Sequence, residues 1–216
     1  MPFPSTGGRV GPEGRAVPSE HYYREKRMDP VERIPAHVRW TLRLEDAAAL
    51  DAAVEAVEPT IRSVFGTGAR AAVLRGEWLG HAVHPLLTDL VLGTWTSASL
   101  LDVFGGDESA AAARRLVGAG LLAVGPTAWA GWAEWSAAGP RDKRVGLVHA
   151  VTNGVAISLY AASWVARVRG RHGSGAGLAM AGAAAAGVGG YLGSHLALAR
   201  KLGSRHPAYS ETSLDG

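Results

Sequence analysis

The chain contains no cysteine, and its 216 residues carry few charges for their number. The first absence excludes disulfides, zinc or iron–sulfur clusters held by thiolates, and a thioether-attached haem. Charged residues make up 19 %, below the roughly 25 % of an average soluble domain. The sequences G-x-x-x-x-G-K, G-x-G-x-x-G, H-E-x-x-H and G-x-S-x-G are also missing, so no phosphate-loop, dinucleotide, zincin or serine-hydrolase reading is supported. No apolar core follows the start, and no cleavable signal peptide is expected. The net charge of +3 is modest, so no nucleic-acid partner is expected.

What is abundant is glycine, 29 residues, and uninterrupted apolar sequence. A mean hydropathy of +0.06 averages two unlike halves. Arg115 and Glu134 enclose 18 residues without Asp, Glu, Lys or Arg; Arg144 and Arg167 enclose 22, and Arg171 and Arg200 enclose 28. A helix crosses the hydrocarbon in ~20 residues, and each charge buried there costs several kcal/mol. A fourth apolar run, Trp78 to Phe104, is broken only by Asp89 and Asp102. Four crossings are therefore expected, at about 80–104, 115–135, 145–167 and 175–199. Short polar connections at 105–108, 139–144 and 169–175 make neighbouring helices antiparallel. The fold class is all-α: a four-helix transmembrane bundle in the lipid bilayer.

The first 77 residues differ. Residues 1–40 hold more than half of the chain's proline, lack periodicity, and read as a disordered arm. In the amphipathic segment 41–77, Leu50, Val54, Val57, Ile61 and Val64 recur every three or four residues, with Pro59 as a possible kink. The membrane domain is then 78–203, and 204–216 a flexible tail.

An even number of crossings brings both termini to one side. That side holds Arg70, Arg75, Arg141, Lys143, Arg144, Arg200, Lys201 and Arg205, against Arg114, Arg115, Arg167, Arg169 and Arg171 opposite. Under the positive-inside rule both termini face the cytoplasm, with the protein in the plasma membrane.

The polar residues inside the spans are the candidate site. His84, His149 and His195 lie near ends of three different helices, and antiparallel topology puts those ends in one leaflet. His81 sits beside them at the interface. His149, Asn153, Tyr160 and Trp164 share one helical stripe; His84, Thr88, Trp95, Ser99 and Asp102 share another. Two of the three imidazoles could ligate a b-type haem or a metal ion. Equally, the layer could be hydrogen-bonded structure that fixes helix register. Asp89 lies off the stripe and calls for a partner across a helix interface, Asn153 being the candidate at its depth. Asp102 and Glu134 fall at helix ends and read as solvated charges. Small residues at Gly182, Ala186 and Gly190, and at Gly189 and Gly193, suit close helix packing inside the chain or in a homo-oligomer.

The runs Trp78-Leu-Gly-His81-Ala-Val-His84-Pro85-Leu-Leu-Thr-Asp89, Val145-Gly-Leu-Val-His149-Ala and Gly189-Gly-Tyr-Leu-Gly-Ser-His195 occur in that order. In them the chain resembles the four-span bacterial membrane family catalogued as domain of unknown function 2231. The resemblance spans about 70–203 and implies fold and membrane location, not an activity. Its Gly-His-Pro-Leu-His-Pro wording is Gly80-His81-Ala82-Val83-His84-Pro85 here, without the first proline. Relatives are often fused to a Rieske iron–sulfur domain, which implies a Rieske-type or other redox partner. This chain has no cysteine to hold such a cluster. The readings that follow are a small redox module or redox-partner subunit, a non-catalytic scaffold, or a proton-coupled transporter using Asp89.

Overall fold

A computed structural model describes residues 34–206, and apart from one isolated bridge between His81 and Arg205 its regular structure is helical. The chain divides into two compact units, 1–42 and 43–216. In the first, the described residues open helix α1 (Ala36–Glu45), with Arg39 N–H donating to Pro35 O at 3.0 Å. The expected disordered arm is thus corrected at 36–40, where Pro35 precedes a helix that propagates to Glu45. Residues 1–33 of that arm, and 207–216 of the expected tail, lie outside the described residues.

In the second unit the amphipathic segment resolves into α2 (Asp51–Phe65), with Pro59 inside it, and the short α3 (Gly68–Leu74). Four long helices follow: α4 (His84–Phe104), α5 (Ala110–Ser136), α6 (Pro140–Val168) and α7 (His172–Ser194). A π-helical turn, His195–Ala199, extends α7. Proline opens α4 and α6, where its missing N–H is unpaired in any case. The expected charged connection 139–144 is therefore mostly helix: Gly139 caps it, and Arg141 to Arg144 form the first turn of α6. Gly170, at φ +77°, takes the left-handed conformation that ends the α6 connection.

Among the described residues, three helices are long and apolar enough to cross a membrane: Asp107–Ser136, Pro140–Val168 and His172–Ala199. Helix α4, which carries Asp89 and Asp102, is not among the three. The four pack as a ring, α4 on α5, α5 on α6, α6 on α7 and α7 on α4, so that α4 and α6 are diagonal. Trp95 and Tyr160 stack across that diagonal, centroids 3.8 Å apart, at the centre of a core with Val91, Ala98, Val117 and Ala179. Glycine lets α7 approach α6: a Cβ at Gly189 would overlap Asn153 Oδ1, and one at Gly182 would lie 2.9 Å from the Tyr160 ring. Gly190 faces open space and takes no part.

Helix α2 lies against α5 and α6. Its acidic edge pairs with the first turns of α6. Arg144 makes a two-pronged contact to Asp51 (2.6 and 2.8 Å), and Lys143 pairs with Glu58.

Candidate functional site

Antiparallel packing brings the N-termini of α4 and α6 and the C-termini of α5 and α7 to one end of the bundle. A cavity of about 380 Å³ opens there and reaches inward to Trp95, Val124 and Ile157. Its walls are largely Ala, Gly, Leu, Val and Trp. The polar groups on it are His84 and Thr88 from α4, Thr127 and Glu134 from α5, and His149 and Asn153 from α6. A mostly apolar cavity with a few polar groups is the usual form of a small-molecule site.

Both imidazoles are fixed through Nδ1. His84 Nδ1–H donates to Thr127 O and His149 Nδ1–H to Gly189 O, each at 2.8 Å. A carbonyl only accepts, so Nδ1 carries the proton and Nε2 keeps its lone pair. The two Nε2 atoms differ. Asn153 Nδ2–H donates to His149 Nε2 at 3.0 Å, whereas no described residue hydrogen-bonds His84 Nε2. Small residues make room for the rings, since a Cβ at Gly131 or Gly193 would lie 2.9 Å from His84 Cε1 or His149 Cε1 respectively.

His195 does not join them. Its Nε2–H donates to Glu45 Oε1 at 2.7 Å, and it does not line the cavity. Among the described residues no three of His, Asp and Glu are grouped so as to hold a metal ion. His81 is exposed, with Nδ1 3.1 Å from Ala82 O. Asn153 is engaged with His149, and Asp89 is exposed on the outer side of α4; the expected pairing of the two is not formed. One residue off the buried stripe is enough to turn a helical side chain outward.

Two carboxylates read as solvated are buried instead. Asp102 holds Arg167 at the opposite end of the bundle: Nη1 donates to Oδ1 at 2.7 Å and Nη2 to Oδ2. Arg167 Nε also donates to Ser163 Oγ at 3.1 Å, and Ser163 Oγ–H to Gly175 O at 2.6 Å. Arg167 follows Tyr160 by two helical turns, so the stripe spacing carried a signal for this pair. Glu134 retains 8 % of its surface. Its Oε2 accepts from Ser204 N–H (3.0 Å) and Ser204 Oγ–H (3.1 Å), while Oε1 is buried with no partner. Ser204 belongs to the segment after α7, which places Leu202 and Gly203 on the cavity and donates His206 N–H to Gly80 O at 2.7 Å.

A family model described as predicted membrane protein (DUF2231) matches residues 80–206, more than half of the chain. The chain belongs to this family. The match covers all four long helices, the cavity and the segment after α7. No curated protein and no solved structure matches the DUF2231 chain.

Proposed function

We propose that this DUF2231 protein is a small membrane redox module or redox-partner subunit whose redox group binds in the cavity at His84 and His149. The observation that carries the reading is the fixed tautomer of both imidazoles. With Nδ1–H held by a backbone carbonyl, each ring presents Nε2 as its donor atom, the arrangement by which protein imidazoles ligate haem iron and metals. Helices α4 and α6 are diagonal, so an occupant between the two rings lies on the bundle axis. A b-type haem suits two neutral imidazoles and apolar walls. His84 Nε2 is available as it stands, and His149 Nε2 becomes available when Asn153 turns away. Helix α4 is the fourth span in this reading. The arginine bias places both termini in the cytoplasm and the protein in the plasma membrane.

The test is the visible spectrum of the protein purified in mild detergent, oxidised and reduced. A Soret band lost in His84→Ala is expected; a colourless protein without stoichiometric metal removes haem and metal as occupants. A C-terminal alkaline-phosphatase fusion should be inactive in this orientation.

A second reading has its own support. Both nitrogens of His149 are hydrogen-bonded within the protein, which is what a purely structural polar layer requires. In that scaffold reading His149→Ala lowers stability and changes no bound species.

A further inference from the structure

Between Arg115 and Glu134, Arg144 and Arg167, and Arg171 and Arg200 the other long helices carry no charge, whereas α4 turns Asp89 outward about a turn and a half from its start. Asp89 does not stand alone. Asp89, Gly93, Thr96 and Leu100 recur at spacings of 4, 3 and 4 and are all exposed, on the side of α4 away from the buried Val91, Trp95 and Ala98. Ser97 is exposed beside them, and Thr96 lies near the middle of the helix. The α4 hydroxyls nearer the bundle are satisfied within the helix: Thr88 donates to His84 O at 2.9 Å, Thr94 to Leu90 O at 2.9 Å and Ser99 to Trp95 O at 3.0 Å. Among the described residues, none hydrogen-bonds or pairs with the side chains of Asp89, Thr96 or Ser97.

In lipid, outward polar side chains lack the partners that water gives them, and membrane helices cover Asp, Ser and Thr by packing on another helix. Spacings of 4, 3 and 4 are those of a helix-packing seam. Gly93 gives this seam room, since a Cβ there meets no atom of the chain within 4 Å. We propose that a second copy of this chain covers the seam, α4 against α4. The proposal rests on α4 being the fourth span, and is independent of what the cavity holds. Copies inserted in one orientation run their α4 helices parallel, and a two-fold axis then sets each seam residue beside its own copy. The seam is chemically suited to itself. Glycine meets glycine, hydroxyl groups both donate and accept, and two carboxyls at one depth hold a proton between them. The other stripe of small residues, on α7, is already filled by α6 at Gly182 and Gly189.

The chain has no cysteine, so one introduced thiol reports on the seam alone. Thr96→Cys, oxidised with copper phenanthroline in native membranes, should give a disulfide-linked dimer. Leu122→Cys, exposed on α5, should not. Adding Gly93→Leu to Thr96→Cys should lower the cross-linked fraction about fivefold or more, because the side chain enters space that only the second copy fills. Asp89→Asn, whose amide pairs with itself without a shared proton, should keep the dimer. Asp89→Lys should abolish cross-linking between like copies and restore it against a tagged copy that keeps Asp89. Equal cross-linking at Leu122, an unchanged yield in Gly93→Leu, or an unchanged yield between Asp89→Lys copies would overturn the proposal. A membrane-impermeant maleimide separates the two failures. If Thr96→Cys is shielded from it in sealed vesicles of either orientation and yet does not cross-link, α4 spans the membrane and the copies do not pair. If Thr96→Cys is labelled there, α4 is not in lipid, and the four-span reading falls with the dimer.

Discussion

The two ends of the bundle bury polar groups in opposite ways. At the Asp102–Arg167 end, charge is matched and every strong donor and acceptor has an answer: two prongs between guanidinium and carboxylate, then Ser163, then the Gly175 carbonyl. Glycine at position 175 is part of that closure, because a Cβ there would lie 2.5 Å from Arg167 Cγ. At the Glu134 end the same four helices separate around a cavity lined by His84 and Glu134, and Glu134 Oε1 is left buried without a partner. A closed polar layer locks helix register, and the layer at the Glu134 end is not closed in that way.

The largest expected effect breaks the closed end. Arg167→Leu leaves the Asp102 carboxylate buried and alone, and should destabilise the protein by ~3–5 kcal/mol. The companion Asp102→Leu/Arg167→Leu should recover most of it; thermal unfolding in detergent reads both. If the single variant unfolds like wild type, the closed end is not holding the helices.

A smaller effect is expected where α7 meets the cavity. Gly189→Ala forces Asn153 away from its present position, at a cost of ~1–3 kcal/mol for overpacking. Because Asn153 then leaves His149 Nε2, this variant should also strengthen any imidazole-ligated haem, visible as a sharper Soret band on reconstitution. Gly190→Ala, beside it and in open space, should do neither.

The smallest effect concerns the tether between α2 and α6, outside both polar layers. The Arg144 guanidinium holds the Asp51 carboxyl below its ordinary range. The folded chain thus binds that proton more weakly than the unfolded chain. The tether is at full strength above the ordinary carboxylate pKa of ~3.9 and is lost as pH falls through the depressed folded value. Hydrogen exchange of α2 should rise across that acidic window, and Asp51→Asn should abolish the step. The side chain is 42 % exposed, so salt should weaken the contact as well.

Much of the architecture was legible because it follows from one physical quantity, the cost of charge in hydrocarbon. The charge-free tracts locate α5, α6 and α7 to within a few residues. The stripes through His84 and His149 name two residues that do line one cavity. The misread positions share a cause. Asp102 and Glu134 stand where a helix could end, and periodicity along a single helix carries no knowledge of Arg167 or Ser204 on other segments. His195 has the right depth but the wrong neighbour, since Glu45 comes from a segment 150 residues earlier. Asp89 was assigned a partner by depth alone, and azimuth turned it outward.

Sequence by itself determined that this is a membrane protein and roughly where its long helices run, because hydropathy and helical period are local properties. Tertiary structure alone decided which histidine nitrogens are hydrogen-bonded, which carboxylates are matched, and that one oxygen of Glu134 is left without a donor. Those depend on which atoms from distant segments arrive within about 3 Å of one another, the range at which a hydrogen bond exists.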